Sequence, residues 1–232
     1  MSYNRLMDIV YFTREGENEE LKYSLRSLSN LKYDRVVFYG GCPKGIRPDR
    51  WIHPDQIGRT KWDRVKNMYR TACLDDNITE EFILMNDDFY IMRPTDIPVA
   101  YRCSLEHHIM EMELAFGDRI TQYTKLLRGV LRTLTAMNKT TFSYDLHIPM
   151  VFNRKKLLYL LNNFPDLHGM RSLYGNYWEI GGKQMDDVKA RNAHELIDDN
   201  LTFLSSSDES WGGNIGKLVK GRFPERSKYE TN

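Results

Sequence analysis

Apolar positions recur along this chain in two rhythms. Short continuous runs come first: Asp8-Ile9-Val10-Tyr11-Phe12, Arg35-Val36-Val37-Phe38-Tyr39, and Glu81 to Met85. Runs of this length, bounded by Gly, Pro or charge, predict strands covered on both faces. Between them Leu21, Leu25 and Leu28 recur at helical spacing behind Asn18, a natural N-cap. Trp62 to Leu74 repeats that rhythm through Val65, Met68, Tyr69 and Ala72, while Trp51-Ile52-His53 reads as a weak extended piece. Strand, helix, strand in this order predicts an α/β domain with parallel pairing.

Farther along, the pattern is mostly helical. Ile120, Tyr123, Leu127, Val130, Leu134 and Met137 are spaced 3, 4, 3, 4 and 3, the signature of an amphipathic helix. It falls within a helical insertion spanning about 104–140. Tyr90 to Met92 and Ile148 to Phe152 predict short extended segments, and Arg154 to Asn162 a helix stopped before Pro165. Tyr174 to Gly182 reads as mixed, with a helical stretch near Lys183 to Arg191. Leu201 to Leu204 predicts a last strand, and the Gly- and Lys-rich tail, about 212–232, reads as flexible. No repeat or linker divides the chain, so residues 1–232 are expected to form one domain.

Composition changes this picture little. At 232 residues the chain can bury a substantial core, and 41% hydrophobic with 28% charged residues is ordinary for a globular protein. A net charge of +1 singles out no partner. Three cysteines, Cys42, Cys73 and Cys103, form no CxxC pair, and such a sparse odd set suits a reducing compartment. No run approaches the ~20 apolar residues of a membrane span. The expected setting is cytoplasmic, in a bacterium or, for a viral protein, in the host cell.

The candidate chemistry centres on Asn86-Asp87-Asp88, which follows the apolar run Phe82-Ile83-Leu84-Met85. Two adjacent carboxylates at the mouth of a strand are expensive to bury unpaired. They are therefore expected in a cleft, holding a cation, with turn capping as the alternative. Three strand ends carry polar sets: Thr13-Arg14-Glu15, the acidic pair, and Ser205 to Asp208. In α/β sheets ligands sit beyond the carboxyl ends of strands, so these sets predict a single cleft. Hard oxygen donors suit Mg²⁺ or Mn²⁺, which commonly combine one or two carboxylates with substrate phosphates. Gly40-Gly41 lacks the rest of a dinucleotide or phosphate-loop fingerprint.

Asp8 to Phe12, Glu20 to Leu28, Arg35 to Tyr39 and Phe82 to Phe89 together resemble the Stealth proteins. His147-Ile148-Pro149 is similar to their later His-x-Pro segment, and Arg171 falls where a downstream arginine is expected. At Thr60-Lys61-Trp62-Asp63 the chain departs from the family's usual Thr-Phe-Asn-Ser. The resemblance implies a GT-A-like (Rossmann-related) mixed sheet flanked by helices, and a nucleotide-sugar donor, a UDP-sugar foremost. Asp87 and Asp88 would then handle metal and diphosphate, with Thr13 and Arg14 beside the base and ribose. Arg26 and Lys66 would meet phosphates, although Arg26 equally suits a helix surface. Phage glycosyltransferases of this fold are as close a likeness as sugar-1-phosphate transferases.

Two groups compete as general base toward an acceptor hydroxyl. His147 has an imidazole that titrates near neutral pH, and Asp208 follows a strand in a Ser-rich turn. His107, His108, Glu111 and Glu113 at helical spacing read as a solvated face before a metal site, and the aromatic set Tyr174, Tyr177 and Trp178 as core before a stacking platform. No Asp or Glu occurs from Arg119 to Tyr144, and at ~3.6 residues per turn Lys125, Arg128, Arg132 and Lys139 share one stripe. A second basic set, Lys217, Lys220, Arg222, Arg226 and Lys228, lies near the end. Either an ordinary solvated face or a polyanionic acceptor, such as hydroxymethylated DNA or an acidic polysaccharide, accounts for the stripe. The sequence is read as a metal-dependent glycosyltransferase. The alternatives are sugar-1-phosphate transfer and a non-catalytic nucleic-acid or glycan-binding module.

Overall fold

The structure is a computed structural model and describes residues 6–54, 60–116, 121–198 and 200–231. The apolar run at the start forms β1 (Asp8–Thr13), followed by α1 (Glu19–Ser27), β2 (Val36–Gly40) and β3 (Arg50–Ile52). Asn18 caps α1, its Oδ1 accepting the Leu21 N–H at 3.0 Å. Next come α2 (Lys61–Leu74), β4 (Glu81–Met85), β5 (Phe89–Ile91) and β6 (Ala100–Tyr101). Thr60 and Asp63 form a reciprocal capping box at the start of α2, so the departure at residues 60–63 has a local role.

The helical middle consists of α3 (Leu105–Phe116) and α4 (Gln122–Ala136), which pack on each other. The chain continues through β7 (Met150–Asn153), α5 (Arg154–Asn163), α6 (Met170–Tyr177) and β8 (Lys183–Gln184). It ends with β9 (Phe203–Ser205), α7 (Asp208–Trp211) and α8 (Asn214–Arg222).

The main sheet has strand order β3-β2-β1-β4-β7. β1, β2, β3 and β4 run parallel, and β7 runs antiparallel to β4. This is a mixed α/β architecture with helices on both faces, because successive side chains of a central strand point to opposite sides. Ile9 and Tyr11 face the leucines of α1. Val10 faces the other way, into a core built from α2, α4, α5 and α6. A two-stranded sheet of β5 and β9 stands beside the main one, with Tyr90 and Leu204 packed against Ile215 and Val219 of α8. Among the described residues no helix is long and apolar enough to cross a membrane.

Residues 174–182 are mixed as expected: α6 runs from Met170 to Tyr177, burying Leu173 and Tyr174, and a turn follows. Two expectations are corrected. Residues 183–191 are extended rather than helical. Lys183–Gln184 pairs with β6, and Lys189 bridges to Ser205. The tail is anchored: α8 packs on β5 and β9, Tyr229 is buried, and Glu230 pairs with Arg26 at 2.7 Å. Ile120 and Arg119 lie outside the described residues, and the periodic helix begins at Gln122.

Candidate active site

β4 delivers Asp87 and Asp88 to the turn before β5, where three segments distant in sequence meet them. From the β1–α1 connection, Asn18 Nδ2 donates to Asp87 Oδ2 at 2.6 Å. One side chain thus caps α1 and fixes a carboxylate. From β9, Ser205 Oγ donates to Asp88 Oδ2 at 3.2 Å, and the Ser206 N–H donates to the Asp88 carbonyl at 3.2 Å. From the 186–191 segment, Lys189 Nζ donates to Asp88 Oδ2. The β1–α1 connection and the end of β9 thus meet the end of β4, whereas Thr13, Arg14 and Glu15 line a cavity that neither carboxylate enters.

Negative charge accumulates here. Burial, and then repulsion from Asp88, hold the Asp87 carboxyl above its ordinary range. Glu20, which accepts from Ser206 Oγ, is pushed up by burial and by repulsion from Asp87, Asp88 and Asp208. A cation relieves such a cluster, and Lys189 already supplies one to Asp88. Among the described residues no group of three or more His, Cys, Asp or Glu is placed to hold a metal. An ion here would depend on the two carboxylates and on ligands it brought with it. Mg²⁺ sites at phosphates are often built that way.

Thr13 and Arg14 stand at the end of β1, where Thr13 Oγ1 donates to the Gly41 carbonyl at 2.5 Å. Gly40 and Gly41 permit this approach. A Cβ on Gly40 (φ +123°) would lie 2.1 Å from the Thr13 oxygen, and one on Gly41 2.2 Å from the Glu15 nitrogen. The pair therefore serves to close β2 onto β1. Beside it lies a cavity of about 510 Å³ whose charged lining is Arg14, Lys61 and Arg64 with one carboxylate, Glu15, which lies 3.4 Å from His53. It is dominated by cations.

His147 Nδ1 lies 2.8 Å from Asp187 Oδ1, and its backbone N–H donates to the same oxygen at 3.2 Å. Its ring contacts that of Phe89, the residue after Asp88, at 6.2 Å between centroids. Burial raises the Asp187 carboxyl, but hydrogen bonds and charge from His147, with Arg102 beside them, outweigh it and hold the group at about 2. Asp187 also pairs with Arg191 at 3.4 Å. A second cavity, about 620 Å³, opens on this side and is lined by Arg102, Glu111, Asp186, Asp187, Lys189 and Arg191. Lys189 joins it to the acidic pair.

The other expected residues are employed elsewhere. Arg26 donates to both carboxylate oxygens of Glu230, at 2.8 and 2.7 Å, and to the carbonyls of Phe223 and Pro224. Its guanidinium anchors the tail rather than meeting a phosphate. Lys66 donates to the carbonyls of Phe164, Pro165 and Leu167, and burial lowers its pKa. It ties α2 to the end of α5. Arg171 is half-buried, and desolvation lowers its pKa. It donates to the carbonyls of Tyr144 at 3.1 Å and Ile148 at 2.7 Å, on either side of His147. Arg171 is thus a positioning residue for the histidine loop.

Asp208 is exposed in the first turn of α7, whose cap is Ser207. On α3, buried His108 pairs with Ser143 at 2.8 Å, while Glu111 and Glu113 engage Arg102 and Arg128. The basic stripe is partly neutralised, with Arg128 on Glu113 at 2.5 Å and Lys139 on Glu179 at 2.7 Å, while Lys125 and Arg132 are exposed. In the tail set, Lys220 pairs with Glu19 at 2.8 Å and Lys228 with Asp49 at 3.5 Å.

Sequence reasoning missed Asp187, Lys189 and the second role of Asn18. A signal for the first two exists. Apolar Val188 and Ala190 alternate with charged Asp187, Lys189 and Arg191, which is the period of a strand. The chain matches no family model, and no curated protein matches it at a significant level.

Proposed function

We propose that the chain is a GT-A-like transferase that moves a sugar from a nucleotide-sugar donor, a UDP-sugar foremost, to an acceptor hydroxyl. The observation that carries this reading is an acidic pair at the carboxyl end of an interior strand, tied by Asn18 to the β1–α1 connection and by Lys189 to the lining of the 620 Å³ cavity. The cation-rich 510 Å³ cavity at the end of β1 suits the nucleotide half of the donor. Asp87 and Asp88 would hold Mn²⁺ or Mg²⁺, which supplies positive charge to a leaving diphosphate.

On the other side, Asp187 accepts from His147 Nδ1, which leaves Nε2 as the proton acceptor of that imidazole. Such an oriented histidine suits a general base toward an acceptor hydroxyl; its partner Asp187 lines the 620 Å³ cavity, whereas His147 stands behind it. His147 is preferred to Asp208 because it has an orienting partner and a half-buried arginine holding its loop. The cavity is lined by both signs of charge, and two of the four stripe cations are already paired, so a polyhydroxylated acceptor fits better than a polyanion.

The test is product analysis. Incubated with UDP-sugars and Mn²⁺, the protein is expected to release nucleoside diphosphate. Nucleoside monophosphate would instead indicate sugar-phosphate transfer, and release of neither would leave a binding module. Asp88→Asn should lower turnover by about 10²–10³-fold, the scale of losing one preorganised electrostatic contact. Unchanged turnover would remove the acidic pair from the mechanism.

A further inference from the structure

Lys189 stands at the junction of the acidic pair and the larger cavity. Its backbone is clamped to β9: the Ala190 N–H donates to the Ser205 carbonyl at 2.8 Å, and the Ser205 N–H donates to the Val188 carbonyl at 3.1 Å. The root of the side chain is fixed, while its four-carbon stem keeps its own rotamers. The Lys189 side chain is 15% exposed and that of Asp88 17%, so the pair is half-shielded but not sealed. Among the described residues the ammonium has one protein acceptor, Asp88 Oδ2, for three N–H donors. The remaining donors are available to an incoming acceptor. Asp87 and Glu20 make the surroundings anionic, so a phosphate can approach only beside a cation.

We propose that Lys189 is the resident counter-cation of this site. It holds Asp88 in the free protein and turns its ammonium onto the phosphate oxygens of a bound nucleoside diphosphate, which then needs no divalent ion in order to bind. The proposal rests on the nucleotide-sugar reading above. Lys189 and a divalent ion are alternative partners of Asp88, so each weakens the need for the other. Removing the lysine should expose a metal requirement that the wild-type protein conceals.

Isothermal titration with UDP and with GDP, in EDTA and with Mg²⁺, tests this without any turnover. In the wild-type protein the dissociation constant in EDTA is expected within about threefold of that with Mg²⁺. Lys189→Gln should weaken metal-free binding by about tenfold or more and recover when Mg²⁺ is added, while Lys189→Arg keeps metal-free binding. Asp88→Asn, which releases the ammonium, should tighten metal-free binding, and this arm stands even where Lys189→Gln fails to fold. Wild-type binding that collapses in EDTA, or Lys189→Gln binding unchanged there, overturns the role of Lys189 and leaves the transferase reading intact. A wild-type protein that binds neither nucleotide under either condition removes that reading and this proposal together.

Discussion

The two sides of the acidic pair are built differently. On the β1 side, Thr13, Arg14, Asn18 and Gly41 come from consecutive elements of one strand-helix-strand unit. Their geometry follows from a helix cap and a close backbone approach. On the other side, Asp187, Lys189, Ser205 and His147 come from segments up to about 60 residues apart, joined by the isolated bridge of Lys189 to Ser205 and by the contact of His147 with Asp187. The first side is local and holds few ionic contacts. The second is a polar network, His147 to Asp187 to Arg102 and Arg191, with Lys189 two residues beyond Asp187.

The largest separation between the two sides is expected from a residue in neither. Arg26→Ala leaves Glu230 buried without its partner, the side chains being 11% and 5% exposed. Removing one member of such a pair costs about 3–5 kcal/mol. Denaturant unfolding should show that loss, while nucleotide affinity measured on the folded fraction stays unchanged. A large drop in affinity with normal stability would return Arg26 to the phosphate site.

Gly41→Ala strikes the β1 side. Its Cβ would meet backbone atoms of Arg14 and Glu15, which cannot turn aside as a side chain could. A loss of about 1–3 kcal/mol is expected. Nucleotide affinity should fall with it, and the pH dependence of the His147–Asp187 pair should be preserved. Intact nucleotide affinity would detach the 510 Å³ cavity from donor binding.

Asp187→Asn strikes the other side and has a pH signature. The folded carboxyl lies at about 2, below the ordinary value of 3.8, so its contribution is fully present above about pH 4 and disappears as pH falls toward 2. The shift corresponds to about 2 kcal/mol for a group with a side chain 9% exposed. Melting curves should show the variant destabilised at neutral pH and converging on the wild type between about pH 4 and pH 2. A gap that persists through that window would place the cost elsewhere than the ionised carboxylate.

The main strands, α1, α2 and α5 were all legible in the sequence, because apolar period and caps are local properties. The acidic pair was legible too, since carboxylates after an apolar run stand out whatever surrounds them. Arg26 and Lys66 misled because a cation's partner is set by whatever folds against it. Here that is Glu230 and three carbonyls about 100 or more residues away. Residues 183–191 misled for a similar reason. They are too polar to show a helical face, and they become extended by pairing with β6 and β9.

The sequence alone determined a largely parallel α/β frame and a pair of carboxylates after one of its interior strands. Only the tertiary structure decided which groups face those carboxylates. It placed Asn18 on Asp87, Lys189 on Asp88 and Asp187 on His147. The reason is physical: periodicity and capping act over a few residues. A buried charge takes as its partner whichever distant segment the closed fold brings within hydrogen-bonding distance.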